Sequence, residues 1–437
     1  MNSTTATAGP KRIDRAFLLA GAAVALGVLA TYLSQTQVLG LIPLKNLLKN
    51  TLGASREATA AFFFWTTMPW YFKPLVGIVQ DALPLFGTRR RSYLLVFCLL
   101  SSLAWWGLAA TPYDYHWFLW VCLGINIMMV VAITAVGGYM VEVAQSSASA
   151  GRLSSIRSVV EQLCYVISGP LAGALASIAF AWTAVACGAI TFLGVPVALW
   201  ALRERLLRRQ PGEPARVLRA AGGTLVQALH SGPLWLAAAV AFLFYFAPGT
   251  NTAQFYAEQN DLHLTTQQQG TIQFLAGCAG IVAALLYGVF GPKHLTLRWL
   301  LIICILLGAA GQAAFVLYIN WDLARLTAVL NGFGYTLADL ALLHLAVRAT
   351  PKGCEALGFA LLMAVRNFGI YGGDWLGSAV QDHWHLSFHA LALLNAALSL
   401  LAIPLSLLLP AAVVDLRDAQ PTPAIDMTPL PHEVKPA

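Results

Sequence analysis

The chain has 437 residues, 58% hydrophobic and only 10% charged, with mean hydropathy +0.69 and a formal net charge of +7. So few charges on so much apolar sequence exclude an ordinary soluble domain and specify an all-α polytopic protein embedded in the lipid bilayer. The cations fall in short connections rather than along one face, which assigns them to topology and excludes a nucleic-acid partner.

A span needs about 20 apolar residues. Twelve such stretches are predicted, at 14–48, 58–80, 92–111, 117–143, 152–178 and 180–203, then 233–257, 266–290, 296–318, 321–348, 355–380 and 388–414. The first follows the basic segment KRIDR as a signal peptide would, but it is long and ends in no cleavage site. It is expected to remain as span one, bent near Pro43.

Between spans two and three the chain reads KPLVGIVQDALPLFGTRRRSY, from Lys73 to Tyr93. An aspartate ending a helix, a tight Pro/Gly loop and three arginines predict an ionic latch at the headgroup boundary, formed by Lys73, Gly77, Asp81, Arg89, Arg90 and Arg91. Glu142, at similar depth in span four, joins it. In span five Arg157 and Glu161 stand four apart on one helical face, so they can pair while pointing inward. Glu161, the deeper, is the candidate for proton coupling, with a permanent ion pair as the alternative.

The basic stretch between spans six and seven, RERLLRRQPGEPARVLRAAGGTLVQALHSG, divides the chain. The predicted organisation is a six-helix bundle over 1–203, a cytoplasmic linker over 204–232, a second bundle over 233–414 and a disordered tail over 415–437. With the amino terminus inside, Lys11, Arg12, Arg15, Arg89 to Arg91, Arg152, the linker arginines, Lys293, Arg298, Arg348 and Lys352 share one side. Lys49 and Arg56 lie opposite, so both termini are expected in the cytoplasm of a bacterial inner membrane.

Charges inside spans are costly and mark function or pairing. Arg366, about eleven residues into span eleven, falls near mid-membrane beside Asn367. It either contacts solute or pairs with Asp374. Asp339 and His344 are read towards the cytoplasmic end of span ten, at gate depth. Gln35, Gln37, Asn126, Gln254, Tyr256 and Asn331 either line a cavity for a flat polar ligand or bond neighbouring helices. Gly169 with Gly173, and Gly369, Gly373 and Gly377, predict close helix crossings. The loop QDHWHLSFH gathers Asp382, His383, His385 and His389 without an element to fix their spacing, so no metal is expected. The seven cysteines stand singly, and no nucleophile elbow, HExxH helix or Walker loop occurs. Neither a cofactor nor an enzymatic activity is indicated.

These segments together resemble the folate-biopterin transporter family, a branch of the major facilitator superfamily, over most of the chain. Lys73, Pro74, Gly77, Asp81, Pro84, Gly87, Arg89, Arg90 and Tyr93 fall on a KPL-G-SD-P-G-RRR-Y signature. APGTNTAQFYAEQNDLHLTTQQQG in span seven is similar to that family's polar segment. PKGCEALGFALLMAVRNFG matches its span-eleven opening at Glu355, Phe359, Leu361, Met363 and Asn367. The chain departs at Gln80, where the family has serine, and at Gly137, where it has aspartate. The resemblance implies a monomeric secondary transporter with the major facilitator fold, moving folate- or pterin-like anions by alternating access. Its solute site would comprise Gln35, Asn126, Arg157, Gln254, Asn331, Arg366 and Asn367. Competing readings are another amphipathic solute, export, or a receptor or assembly subunit that does not turn over.

Overall fold

A computed structural model describes residues 15–147, 150–202, 204, 213–351 and 355–415. Lys11, Arg12, Arg203, Lys352 and the tail beyond Asp415 lie outside these described residues, as do the side chains of Arg15 and Arg152. All regular elements described are helical, apart from an isolated bridge between Leu85 and Thr88.

Span one comprises α1 (Arg15–Tyr32) and α2 (Leu41–Asn46), and span two comprises α3 (Arg56–Thr66) and α4 (Lys73–Ala82). Helices α5 (Arg91–Ala110), α6 (Tyr115–Ser147), α7 (Ala150–Ala176), α8 (Phe180–Phe192) and the short α9 (Gly194–Pro196) complete the first half. The second half holds α11 (Gly232–Tyr245), α12 (Asn251–Asn260), α13 (Thr266–His294), α14 (Leu297–Ala313), α15 (Trp321–Ala349), α16 (Glu355–Trp384), α17 (Phe388–Ser399), α18 (Ala402–Leu407) and α19 (Ala411–Val414). Between the halves lies α10 (Glu213–Leu229), where the sequence reads as a linker. Its inward positions Val217, Ala221, Leu225 and Ala228 recur at helical spacing, and it packs on both α4 and α16.

Among the described residues, eight helices are long and apolar enough to cross a bilayer, and α10 with α11, bent by 74°, forms one further broken candidate. Expected spans one and two are interrupted, and α16 carries Arg366, Asp374 and Asp382. Trp120, Trp182, Trp200, Leu285 and Trp299 are exposed on the outside, a surface suited to lipid. Inside, Trp105, Phe118, Ile125 and Met129 centre the first half, and Leu301, Ile305, Ala338 and Ala341 the second. Lipid is as apolar as these cores, so they cohere through close packing more than through exclusion of water.

Two breaks shape the interior. Span one breaks at Leu33–Gly40, not at Pro43, which occupies the first turn of α2 where a missing N–H costs nothing. The break is polar, and its groups bond one another: Gln35 Nε2 donates to the Thr31 carbonyl at 2.8 Å, and Gln37 Nε2 to Gln35 Oε1 at 3.1 Å. Span seven breaks around Pro248. Gly249 N–H donates to the Gly373 carbonyl at 2.6 Å, and Asn395 Nδ2 to the Pro248 carbonyl at 2.9 Å, which satisfies the freed backbone.

The halves meet on the side away from α10, called the far side below. There α7 and α13 cross backbone to backbone: a Cβ on Gly173 would lie 2.6 Å from the Thr266 carbonyl oxygen. Gly369 and Gly373 likewise admit span seven: a Cβ on either would lie 2.7 Å from a Tyr245 atom. Phe255 and Tyr256 of α12 join the core of the first half. Lys49 Nζ donates to Asn260 Oδ1 at 2.6 Å, Arg56 Nε approaches Asp382 Oδ1 at 3.3 Å, and the Glu57 N–H donates to Asp382 Oδ2 at 3.0 Å. The far side is closed.

Candidate functional site

The span-seven break, α2, α13, α15 and α16 enclose a cavity of about 350 Å³. Its lining is unusually rich in amides for a membrane interior: Asn251, Gln254, Gln269, Gln273, Gln312, Asn331 and Asn395, with the tyrosines 165, 245 and 335. Gln254 and Asn331 occupy it as the sequence suggests. Gln254 Nε2 donates to Glu258 Oε1 at 2.8 Å, whereas Asn331 Oδ1 is buried with no hydrogen-bond donor among the described residues. An unpartnered acceptor in a polar chamber is a place for a solute donor or water.

Arg366 pairs with Asp339, not with Asp374. Its Nη2 and Nε lie 2.7 and 2.8 Å from Asp339 Oδ1, and Tyr245 donates its hydroxyl to the same oxygen at 2.5 Å. Eight residues along α16 separate Arg366 from Asp374 by about 12 Å, beyond any side-chain bridge. Asp374 instead accepts from the Thr252 N–H at 2.8 Å and Thr252 Oγ1 at 2.6 Å. Asp339 therefore sits at the depth of Arg366 rather than at a gate, about 15 Å from the α15 end. The guanidinium also lies 5.3 Å over the Tyr245 ring. Asn367 beside it is half-buried.

Across from this pair, Arg157 Nε donates to Glu161 Oε1 at 2.8 Å, and both side chains are about a quarter exposed, at 27% and 28%. Lys73 is within electrostatic reach of both and lies 5.5 Å over the Trp70 ring. It thus belongs to this interior group rather than to the latch, about 12 Å along α4 from Asp81. Tyr32 feels the charges of both Glu161 and Arg366, which places it where the halves face each other. Tyr71, Tyr335 and Tyr371 surround the same point. Sequence reasoning missed this tyrosine ring, because single tyrosines in apolar runs look like interfacial anchors.

Gln35 and Asn126 do not line the cavity. Asn126 is 1% exposed, accepts from Trp70 Nε1 at 2.9 Å and donates to Thr36 Oγ1 at 2.9 Å, so it braces the span-one break. Lys45, Glu258 and Asp374 do line it. The first two were overlooked because they lie near span ends, where charge is ordinary.

The expected latch is a dense network within the first half. Arg90 Nη2 contacts Asp81 Oδ1 at 2.5 Å, and its Nε contacts Glu142 Oε1 at 2.9 Å; Gln80 Oε1 accepts from Nη1 at 3.3 Å. Gly77 faces Thr134 of α6, where a Cβ would sit at an ordinary 3.8 Å, so this glycine is not required for the network. Glu204 accepts the backbone N–H groups of Arg89, Arg90 and Arg91 at 2.6, 3.0 and 3.0 Å, neutralising the α5 N-terminus. Arg91 Nε donates to the Ala198 carbonyl at 3.0 Å. The loop turns through Phe86 and Gly87, both at positive φ. The network is intact with the far side closed. All its partners ride on one half, so their separation does not depend on how the halves tilt.

In the far-side loop His383 Nε2 lies 3.2 Å from Glu57 Oε2, while His389 Nε2 faces the Tyr318 carbonyl at 3.4 Å. The histidines are drawn to different partners, and the described residues hold no cluster suited to a metal.

Two groups of helices, discontinuous spans and a polar centre between them give the chain the major facilitator fold. The fold matches the D-xylose-proton symporter with TM-score 0.62 at 15% identity, covering 90% of this chain and 96% of that one. It matches a bacterial homologue of the human lysosomal transporter Spinster, in an inward-facing and unoccupied conformation, with TM-score 0.63 at 14% identity over 91% and 96%. Residues 37–424 match the model of the BT1 family, and the chain belongs to that family. The folate-biopterin transporter of Synechocystis sp. is 29% identical over 90% of this chain and 83% of its own length. Probable folate-biopterin transporter 2 of Arabidopsis thaliana is 23% identical over 78% and 71%. The protein is an integral, multi-pass membrane protein of a family whose named relatives are transporters.

Proposed function

We propose that the protein is a secondary active transporter that moves a folate- or pterin-like organic anion by alternating access, driven by a proton gradient. Both termini would lie in the cytoplasm of a plasma membrane, and a monomer would suffice. The observation that carries this reading is the amide- and tyrosine-lined chamber with an unpartnered Asn331 acceptor, beside cations of both halves. Amides read the edges of a flat heterocycle, tyrosines stack on its faces, and Arg157, Lys73 and Arg366 attract its carboxylates. Relatives named for folate and biopterin supply the solute class. Glu161, held by Arg157, would be released when a solute carboxylate takes the guanidinium, and would then accept a proton. The test is uptake of labelled folate and biopterin into liposomes holding the purified chain. Uptake faster than in empty liposomes, and raised further by an inward proton gradient, is expected. Flux of neither compound, in a preparation that remains folded, would refute the solute class.

A further inference from the structure

The solute reading makes no use of Lys45, Glu258 and Asp374, buried where the halves meet. Lys45, on α2 of the first half, is 3% exposed. Its Nζ donates to the main-chain oxygen of Asn251 at 3.1 Å and to Oδ1 at 2.5 Å, both across the interface at the start of α12. Glu258 and Asp374, 4% and 6% exposed, act on it by charge from α12 and α16. The trio carries one positive and two negative charges, and it borders the solute chamber. A buried site with an uncompensated negative charge is where an extra cation is most favourably taken up.

The two carboxylates differ. Asp374 has a donor on each oxygen, the Thr252 N–H and the Thr252 hydroxyl. Glu258 receives Gln254 Nε2 and the Tyr318 hydroxyl, at 2.8 and 2.7 Å, both on Oε1. Neither of these bonds falls on Oε2, although the Gln269 side chain also reaches the carboxylate. We propose that Glu258 is a proton-binding carboxylate distinct from Glu161, and that its protonation loosens the Lys45 tie which holds the far side closed. With Glu258 ionised, Lys45 is drawn to two carboxylates of the opposite half. With a proton on Oε2, only Asp374 still attracts it, and the electrostatic hold between the halves falls. Among the described residues, two other titratable ties lie on the far side. Protonating His383 would strengthen its pairing with Glu57 and so favour closure, whereas protonating Asp382 would weaken its pairing with Arg56. The pH response is therefore also measured in Asp382→Asn, where it should persist; its loss there would overturn the assignment to Glu258.

The inference rests on alternating access but not on the solute, so its test contains none. Thr59, fully buried, meets the Tyr256 hydroxyl at 2.9 Å across the closed far side. The full chain carrying Thr59→Cys is reconstituted in liposomes and reacted with a membrane-impermeant maleimide from about pH 7.5 to about pH 5.5. Rates are corrected for the native cysteines and divided by those of Ile178→Cys, which is exposed in the turn between α7 and α8 and makes none of the far-side ties, to remove the pH dependence of the thiol itself. The relative rate is expected to rise about fivefold with acid. In Glu258→Gln and in Lys45→Met it should be high throughout and independent of pH. Sodium at constant pH should change nothing. A flat response in the unsubstituted background, a sodium response in place of the pH response, or a parent-like pH response in Glu258→Gln each overturns the proposal. Should Glu258→Gln not fold, Lys45→Met with the parent decides. Failure of folate or biopterin uptake would leave these rates unaltered.

Discussion

A guanidinium at mid-depth needs a carboxylate, and Arg366 takes Asp339 from the neighbouring helix, with Tyr245 sharing the same oxygen. Removing one partner strands the other. Arg366→Met should cost about 3 kcal/mol of stability, at the low end of the range for broken buried pairs because the two side chains are 24% and 17% exposed. Arg366→Met with Asp339→Leu should recover most of that loss in thermal unfolding, while uptake stays abolished in both. A double variant no more stable than the single would show that the pair does not act as a unit. Gly137 offers a second case. A Cβ there would lie 3.3 Å from Arg157 Nη1, so Gly137→Asp places a competing carboxylate against the guanidinium. Glu161→Gln should then lower flux strongly in the parent but less than about twofold in Gly137→Asp, compared by initial uptake rates. The Arg157–Glu161 contact is legible in sequence because four residues on a helix set a fixed separation. Arg366 with Asp339, and Lys45 with Glu258, are not: helix packing sets those distances, and no local spacing encodes them.

Helices here are defined as much by where they stop as by where they run. The sequence marks span one by its apolar stretch, but places its bend at Pro43. Ser34, Gln35, Thr36 and Gln37 break it earlier, because their side chains compete for backbone and neighbour partners. Small residues were the more reliable signal. Gly169, Gly173 and the α16 glycines all lie at the close crossings their spacing predicts. Gly173→Val should push α7 off α13 and hold the far side apart, lowering uptake about tenfold at near-normal membrane abundance, measured by flux and by blotting of membranes. Normal flux would mean that this crossing need not close. Helix α10 was hidden for a different reason: its arginines and glycines dominate composition, while the apolar face that docks on α4 and α16 emerges only at helical period.

Two halves that rock against each other need rigid bodies and a breakable seam. The Asp81–Arg90–Glu142 network supplies rigidity to the first half, tying α4, α5 and α6. Asp81→Asn should therefore lower flux several-fold while membrane abundance stays near normal, since Glu142 and Gln80 still hold Arg90. Flux equal to the parent at equal abundance would remove the network from the transport cycle. The seam is the far-side interface, where the polar and ionic contacts of Lys49, Arg56 and Asp382 flank the glycine crossing and can exchange for water. By itself the sequence determined the all-helical membrane fold, the family signature and several of the charges that must be paired, because hydrophobicity and local periodicity are properties of neighbouring residues. Only the tertiary structure decided which charges pair, which amides face the chamber and which side is closed, because those depend on contacts between helices far apart in the chain.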